Sequence, residues 1–114
     1  MIQVLQQKPT PEQLARLYRD AGWIKDPETL DLQKSIDNTS LWIIAKENDD
    51  AYGIARLQTD YVRYCCIYDV IVRSDKRRLG IGSKIMQAVI TRAALSTGWR
   101  AKRDFAITLT PFHT

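Results

Sequence analysis

The stretch from Tyr64 to Ser83, YCCIYDVIVRSDKRRLGIGS, constrains the fold more than any other part of the chain. Its opening, YCCIYDVIV (64–72), is densely apolar and rich in β-branched residues, as a central strand requires. Arg73, Lys76, Arg77 and Arg78 then crowd against Gly80 and Gly82. Beyond them Ile81, Ile85, Met86, Val89, Ile90 and Ala93 recur at helical spacing, with Gly98 placed as a C-cap. A strand thus hands the chain to a helix through a basic, glycine-rich junction. Unpaired N–H groups and the positive end of the helix dipole converge at such a place. Gly80 and Gly82 put no side chain between those amides and a guest. Arg77 and Arg78 can add charge-assisted hydrogen bonds. The expected guest is a phosphate or pyrophosphate.

The rest of the chain supplies the frame. QVLQ at the start reads as a short strand. Thr10 is a helix N-cap, with Pro11 at the first helical position and Gln13 three residues after the cap. Leu14, Leu17 and Tyr18 share one face of that helix, which stops near Gly22. Asp26-Pro27 repeats the start signal for a second, less regular helix ending around Asn38. LWIIAKE (41–47) and AYGIARLQTDY (51–61) are strands, separated by a turn at NDD (48–50). With 64–72 they should form an antiparallel meander. DFAITLT (104–110) is a last strand, ended by Pro111. A strand, a helix and a strand in succession suggest a crossover, with the last strand parallel to 64–72. The fold class is α/β (α+β): a mixed, mostly antiparallel sheet flanked by helices.

A length of 114 residues fits one domain, 1–114, large enough for its own core. No apolar run approaches the roughly 18 residues that span a bilayer. MIQVLQQKPTPEQ lacks the basic-then-apolar order of a secretory signal, so the expected location is cytoplasmic, with no membrane partner. The net charge of +4 is concentrated at 73–84 and at Arg100, Lys102 and Arg103. That is too modest for a nucleic-acid-coating protein, and no aromatic residues interleave the basic run. Cys65 and Cys66 are adjacent, so in a strand they point to opposite faces and do not bond each other. With His113 as the single histidine they make no metal pattern, and no metal is expected.

Three phosphate loops compete for the junction. The Walker loop fails because no glycine precedes Gly80 at the required distance. The dinucleotide fingerprint fails because Ile85 stands where a third small residue belongs, and because the preceding strands are antiparallel. The third, Arg-x-x-Gly-x-Gly, is present as Arg77-Arg78-Leu79-Gly80-Ile81-Gly82, after YDVIVRSD and before an Ile/Met helix. It resembles the acyl-CoA loop of the GNAT N-acetyltransferase superfamily. The order of helices and strands is similar to that family's from about residue 1 to residue 98.

The resemblance implies a coenzyme and a reaction. Backbone N–H groups of Leu79, Gly80, Ile81, Gly82 and Ser83 would hold the pyrophosphate of acetyl-CoA, with Arg77 and Arg78 flanking it. The backbone of Val70 and Val72 would pair with the pantetheine arm where this strand splays from the next. An N–H near Val70 would polarise the thioester carbonyl. The implied chemistry is direct acyl transfer to an amine of a small molecule or peptide, which needs a base to take the ammonium proton. Asp69 is the carboxylate inside the apolar strand. It reads either as that base, its pKa raised by the apolar surroundings, or as a strand charge facing solvent or pairing with Arg56 or Arg63 across the sheet. Trp23, Trp42, Tyr18 and Tyr52 read as core or acceptor-cleft wall, and core is the commoner fate.

The chain departs from the family pattern after the fifth strand. TLTPFHT is not followed by the family's last helix and strands, and no tyrosine follows Tyr68, so no general acid carries over. Two expectations follow from the resemblance: a homodimer that covers the open sheet edge, and, as an alternative to an active enzyme, a shortened coenzyme A-binding relative with weak or absent catalysis.

Overall fold

The computed structural model describes residues 1–97 and 106–109. Five strands lie in the order β1 (Gln3–Gln6), β2 (Leu41–Glu47), β3 (Asp50–Thr59), β4 (Tyr64–Val72) and β5 (Ala106–Leu109). The first four pair antiparallel, and β5 runs parallel to β4. The helices are α1 (Pro11–Ala21), α2 (Leu32–Asp37) and α3 (Ile81–Thr97). The expected meander and the parallel crossover are both present.

Local chemistry accounts for the helix starts. Gln13 N–H donates to Thr10 Oγ1 at 3.1 Å, and Thr10 N–H donates to Gln13 Oε1 at 2.9 Å, closing a capping box at α1. Gly22 ends that helix in the left-handed region at φ 74°. The start signal at Asp26-Pro27 opens only a 3-10 turn, Pro27–Thr29. Leu30 then turns extended, and Asp31 caps α2 by accepting from Lys34 N–H at 3.0 Å.

Two layers of side chains sandwich the sheet. Leu14, Leu17, Leu32 and Ile36 of α1 and α2 pack on Trp42, Ile44, Ile54 and Ile71. Ile81, Ile85, Val89 and Ala93 of α3 pack on Ile43, Leu57, Cys65, Ile67, Val70 and Val72. Burying each large aliphatic side chain contributes about 1.5–3 kcal/mol. Cys65 lies in the α3 layer and Cys66 on the other face; both are free.

A β-bulge interrupts β4. Tyr68 opposes Arg56 and Ile71 opposes Ile54, so Asp69 and Val70 together face Ala55. Ile67 and Val70 both enter the α3 layer, although strict alternation would send them to opposite faces. The extra residue restores the phase. Its cost is a left-handed backbone at Asp69, φ 51°.

Candidate active site

The junction after β4 is held from below. Arg73 is buried, and its guanidinium donates to Asp50 Oδ1 and Asp75 Oδ1, each at 2.6 Å. It also lies over the Tyr52 ring, 4.9 Å from the centroid. Asp75 first, then Asp50, hold this guanidinium firmly protonated. Ser74 donates its N–H to Asp20 Oδ2 at 2.8 Å and its hydroxyl to Asp20 Oδ1 at 2.7 Å, tying the turn to α1. Lys76 stands over Tyr52 at 4.7 Å. Arg73 and Lys76, which the sequence groups with the anion-facing bases, are therefore engaged with carboxylates and an aromatic ring instead.

The glycine stretch itself is open. Arg78 takes φ 65° and Gly80 φ 80°, so the chain turns twice through the left-handed region before α3. A Cβ at Gly80 would meet nothing within 4 Å. Arg78, Leu79 and Gly80 are exposed. Lys84 N–H reaches Gly80 O at 3.2 Å. The amides of Ile81, Gly82 and Ser83 precede it in the first turn, where an α-helix provides no acceptors. Arg77 folds back, its Nε donating to Val72 O at 3.1 Å.

Beside this turn the sheet opens. β4 and β5 pair from Tyr64 with Ala106 to Ile67 with Leu109. From Tyr68 to Val72, β4 has no strand partner on that side among the described residues. Arg73 N–H donates to Tyr52 O on β3 at 2.7 Å. By the alternation of strand backbone groups, Val72 directs its own away from β3, and there its carbonyl accepts from Arg77 Nε. Val70, within the bulge, and Val72 both lie on this stretch of β4.

Asp69 faces the α1 side. Tyr18 Oη donates to Asp69 Oδ2 at 2.6 Å, and Arg56 Nη1 approaches the same oxygen at 3.4 Å. Of the two cross-strand partners considered for Asp69, Arg56 is the one that pairs. Burial, then the hydrogen bond to Asp69, raise the Tyr18 phenol above its ordinary value. Arg56, Gln58, Tyr68 and Asp69 line a cleft of about 300 Å³. Trp42 is core, its Nε1 donating to Ile36 O at 3.2 Å, and Arg56 stacks on its ring. Sequence reasoning read Tyr18 as core or acceptor-cleft wall, without its bond to Asp69, and missed the bulge. The odd step between the apolar positions Ile67 and Val70 was the available signal. His113 lies outside the described residues.

The acetyltransferase (GNAT) family profile matches residues 7–103, spanning both helices of the first half, the meander, the glycine turn and α3. The chain belongs to the GNAT acetyltransferase family. Acyl transfer is the chemistry of that family. Solved structures share the fold. A probable acetyltransferase of unknown function from meticillin-resistant Staphylococcus aureus superposes with a TM-score of 0.82 at 21% identity, over 97% of this chain and 80% of that one. A GNAT-family acetyltransferase from Streptococcus pneumoniae gives 0.72 at 23% identity, over 97% and 76%. An aminoglycoside acetyltransferase from an uncultured soil metagenomic sample gives 0.66 at 17% identity, over 96% and 77%. No curated protein matches the chain in sequence. Within this GNAT domain no helix among the described residues is long and apolar enough to cross a membrane.

Proposed function

We propose that the protein transfers an acetyl group from acetyl-CoA directly to an amine. The observation that carries this reading is the coincidence of two features: the stretch of β4 from Tyr68 to Val72 beyond its pairing with β5, and the first-turn amides of α3, which have no backbone acceptor among the described residues. In the proposal, the amides of Leu79, Gly80, Ile81, Gly82 and Ser83 receive the pyrophosphate. Arg78, exposed and unfolded from the protein, and Arg77 flank it. The open space over Gly80 fits a guest that approaches the backbone closely. Val70 and Val72 extend the sheet onto the pantetheine arm, as a strand edge does for an extended ligand.

Acetyl-CoA supplies the activated acyl carbonyl. Val70 N–H points its dipole to the side where the carbonyl oxygen gains charge. Asp69, anchored through Oδ2 by Tyr18 and Arg56, keeps Oδ1 for the amine and serves as the base that takes its proton, directly or through water. No metal has a role in this scheme.

Isothermal calorimetry with acetyl-CoA tests the binding half, and thiol release with a panel of amines tests the chemistry. Gly82→Trp should abolish acetyl-CoA binding while circular dichroism reports an intact fold; unchanged binding in that variant would reject the loop assignment. Binding without thiol release for any amine would favour the alternative, a coenzyme A-binding relative without turnover. A homodimer belongs to the same proposal. β5 is the terminal strand of the sheet and pairs only with β4 among the described residues, and a free edge can accept a second chain. Sedimentation at micromolar protein should give twice the monomer mass; a monomer removes the dimer from the scheme. A cytoplasmic location is proposed with it, in keeping with two unbonded cysteines.

A further inference from the structure

β1 forms one edge of the sheet, with β2 as its neighbour among the described residues. Gln7 N–H donates to Trp42 O on β2 at 3.1 Å. The register sets Gln6 opposite Ile43 and Leu5 opposite Ile44. Alternation from Gln7 therefore turns the backbone groups of Leu5 and Gln3 toward β2, and those of Val4 and Gln6 away from it. The usual guards of a sheet edge are missing. Residues 2–7, IQVLQQ, hold no charge and no proline, and the pairing with β2 runs from Gln3 to Gln6 without a bulge.

α3 overhangs this edge. Val4 packs into the α3 layer and Leu5 into the α1 layer, so Gln6 shares Val4's face. A groove of about 460 Å³ separates Val4 and Gln6 from Lys84, Ala88, Arg92 and Leu95. These four follow one another at steps of four, four and three residues, on one face of α3. No carboxylate lines the groove, and among the described residues neither Lys84 nor Arg92 makes an ion pair. We infer that the groove receives an extended acidic peptide segment of a partner protein, which adds to β1 as a further strand.

The geometry specifies that segment. Strand addition pairs its backbone with Val4 and Gln6 and turns every second side chain toward α3. Eight residues of helix separate Lys84 from Arg92 by about 12 Å. Side chains four apart on a strand are about 13 Å apart. An acid, an apolar residue and an acid at alternate positions thus meet Lys84, Ala88 and Arg92 in turn. A second copy of this chain is the poorer occupant. Its net charge is +4, and joining two β1 edges about a twofold axis would set the cations of both grooves against each other. The groove edge is three strand spacings, about 14 Å, from β4, so this inference is separate from the acetyl-CoA reading.

Fluorescence anisotropy on the full chain with labelled Thr-Glu-Thr-Val-Thr-Glu-Thr tests it. Wild type should bind this peptide about tenfold tighter, or more, than its counterpart with lysine for glutamate. N-methylation of the valine amide, which faces β1, should abolish binding, whereas N-methylation of a neighbouring threonine amide should not. Gln6→Pro removes an outward N–H, a position where an edge strand tolerates proline. That variant should keep its circular dichroism spectrum and lose the peptide. Arg92→Glu should weaken the peptide about three- to tenfold, and it decides the matter together with the N-methyl peptides if Gln6→Pro does not fold. No binding to wild type, equal binding of the lysine peptide, or affinity unchanged by valine N-methylation or by Gln6→Pro would each overturn the inference. So would a dimer in sedimentation that Gln6→Pro dissolves, since a second copy would then be the occupant.

Discussion

Tyr18 on α1 donates its phenol hydrogen to Asp69 on β4 at 2.6 Å, across 51 positions of chain. The bond crosses the α1–sheet interface and ends on a residue whose backbone is left-handed. It both fastens the bulge and aims the carboxylate. Tyr18→Phe should cost about 1.5–3 kcal/mol of stability, the range for a hydrogen bond to a charged group. It should also lower kcat for the amine more than it raises KM for acetyl-CoA, and steady-state kinetics separate the two.

The same phenol sets an alkaline limit. Its folded pKa lies above the ordinary 10.0 of the unfolded chain, chiefly through burial. Its contribution is complete below pH 10 and is lost as pH rises from there, because the unfolded tyrosine ionises first. Chemical denaturation between pH 9 and about pH 11 should show a steeper decline in wild type than in Tyr18→Phe, by up to about 1.4 kcal/mol per pH unit.

Gly53 lets β3, β4 and α3 approach one another. A Cβ there would lie 2.7 Å from Ile71 O and 2.7 Å from Ile85 Cδ1. The isoleucine tip can rotate, but the strand carbonyl cannot. Gly53→Ala should destabilise by about 1–3 kcal/mol, the cost of overpacking a filled core, and thermal melting reads it directly.

Arg73 and Arg78 should separate stability from binding. Arg73 joins Asp50 and Asp75 beneath the turn, whereas Arg78 is exposed at its crest. Arg73→Met should lower the melting temperature. Arg78→Ala should leave it unchanged and weaken acetyl-CoA by about three- to thirtyfold, the worth of one charge-assisted hydrogen bond near solvent. The opposite pattern would reverse the roles given to these two residues.

Asp60 closes the β3–β4 hairpin. Its Oδ1 accepts from the N–H groups of Arg63 at 2.8 Å, Tyr64 at 3.0 Å and Val62 at 2.9 Å. These amides, Arg63's first, pull its carboxyl from 3.8 down to about 2. The folded value is the lower one, so the contribution is present above pH 3.8 and lost as pH falls through 2. Asp60→Asn should flatten the acid limb of the stability curve in that window, measured by urea denaturation at successive pH values.

The elements were legible in the sequence where neighbours along the chain decide the outcome. The Thr10–Gln13 capping box, the NDD turn and the strand-to-helix junction each depend on residues a few positions apart. The second helix was legible only loosely. Its cap is Asp31 rather than the expected Asp26: Lys34 N–H reaches the Asp31 carboxylate, whereas Asp26 opens only a 3-10 turn and makes no side-chain cap bond. The basic cluster misled in part. Charge alone does not distinguish Arg78 from Arg73, and burial against Asp50 and Asp75 does.

By itself, then, the order of residues determined a meander, a crossover helix and a glycine-rich turn between them, since backbone geometry and hydrophobic period are local properties. Only the tertiary structure decided which groups Asp69 meets. Its direction depends on a bulge opposite Ala55, a phenol from the first helix and a guanidinium from the adjacent strand. Those groups meet only when the sheet and helices pack, and no pattern along the chain encodes their distance.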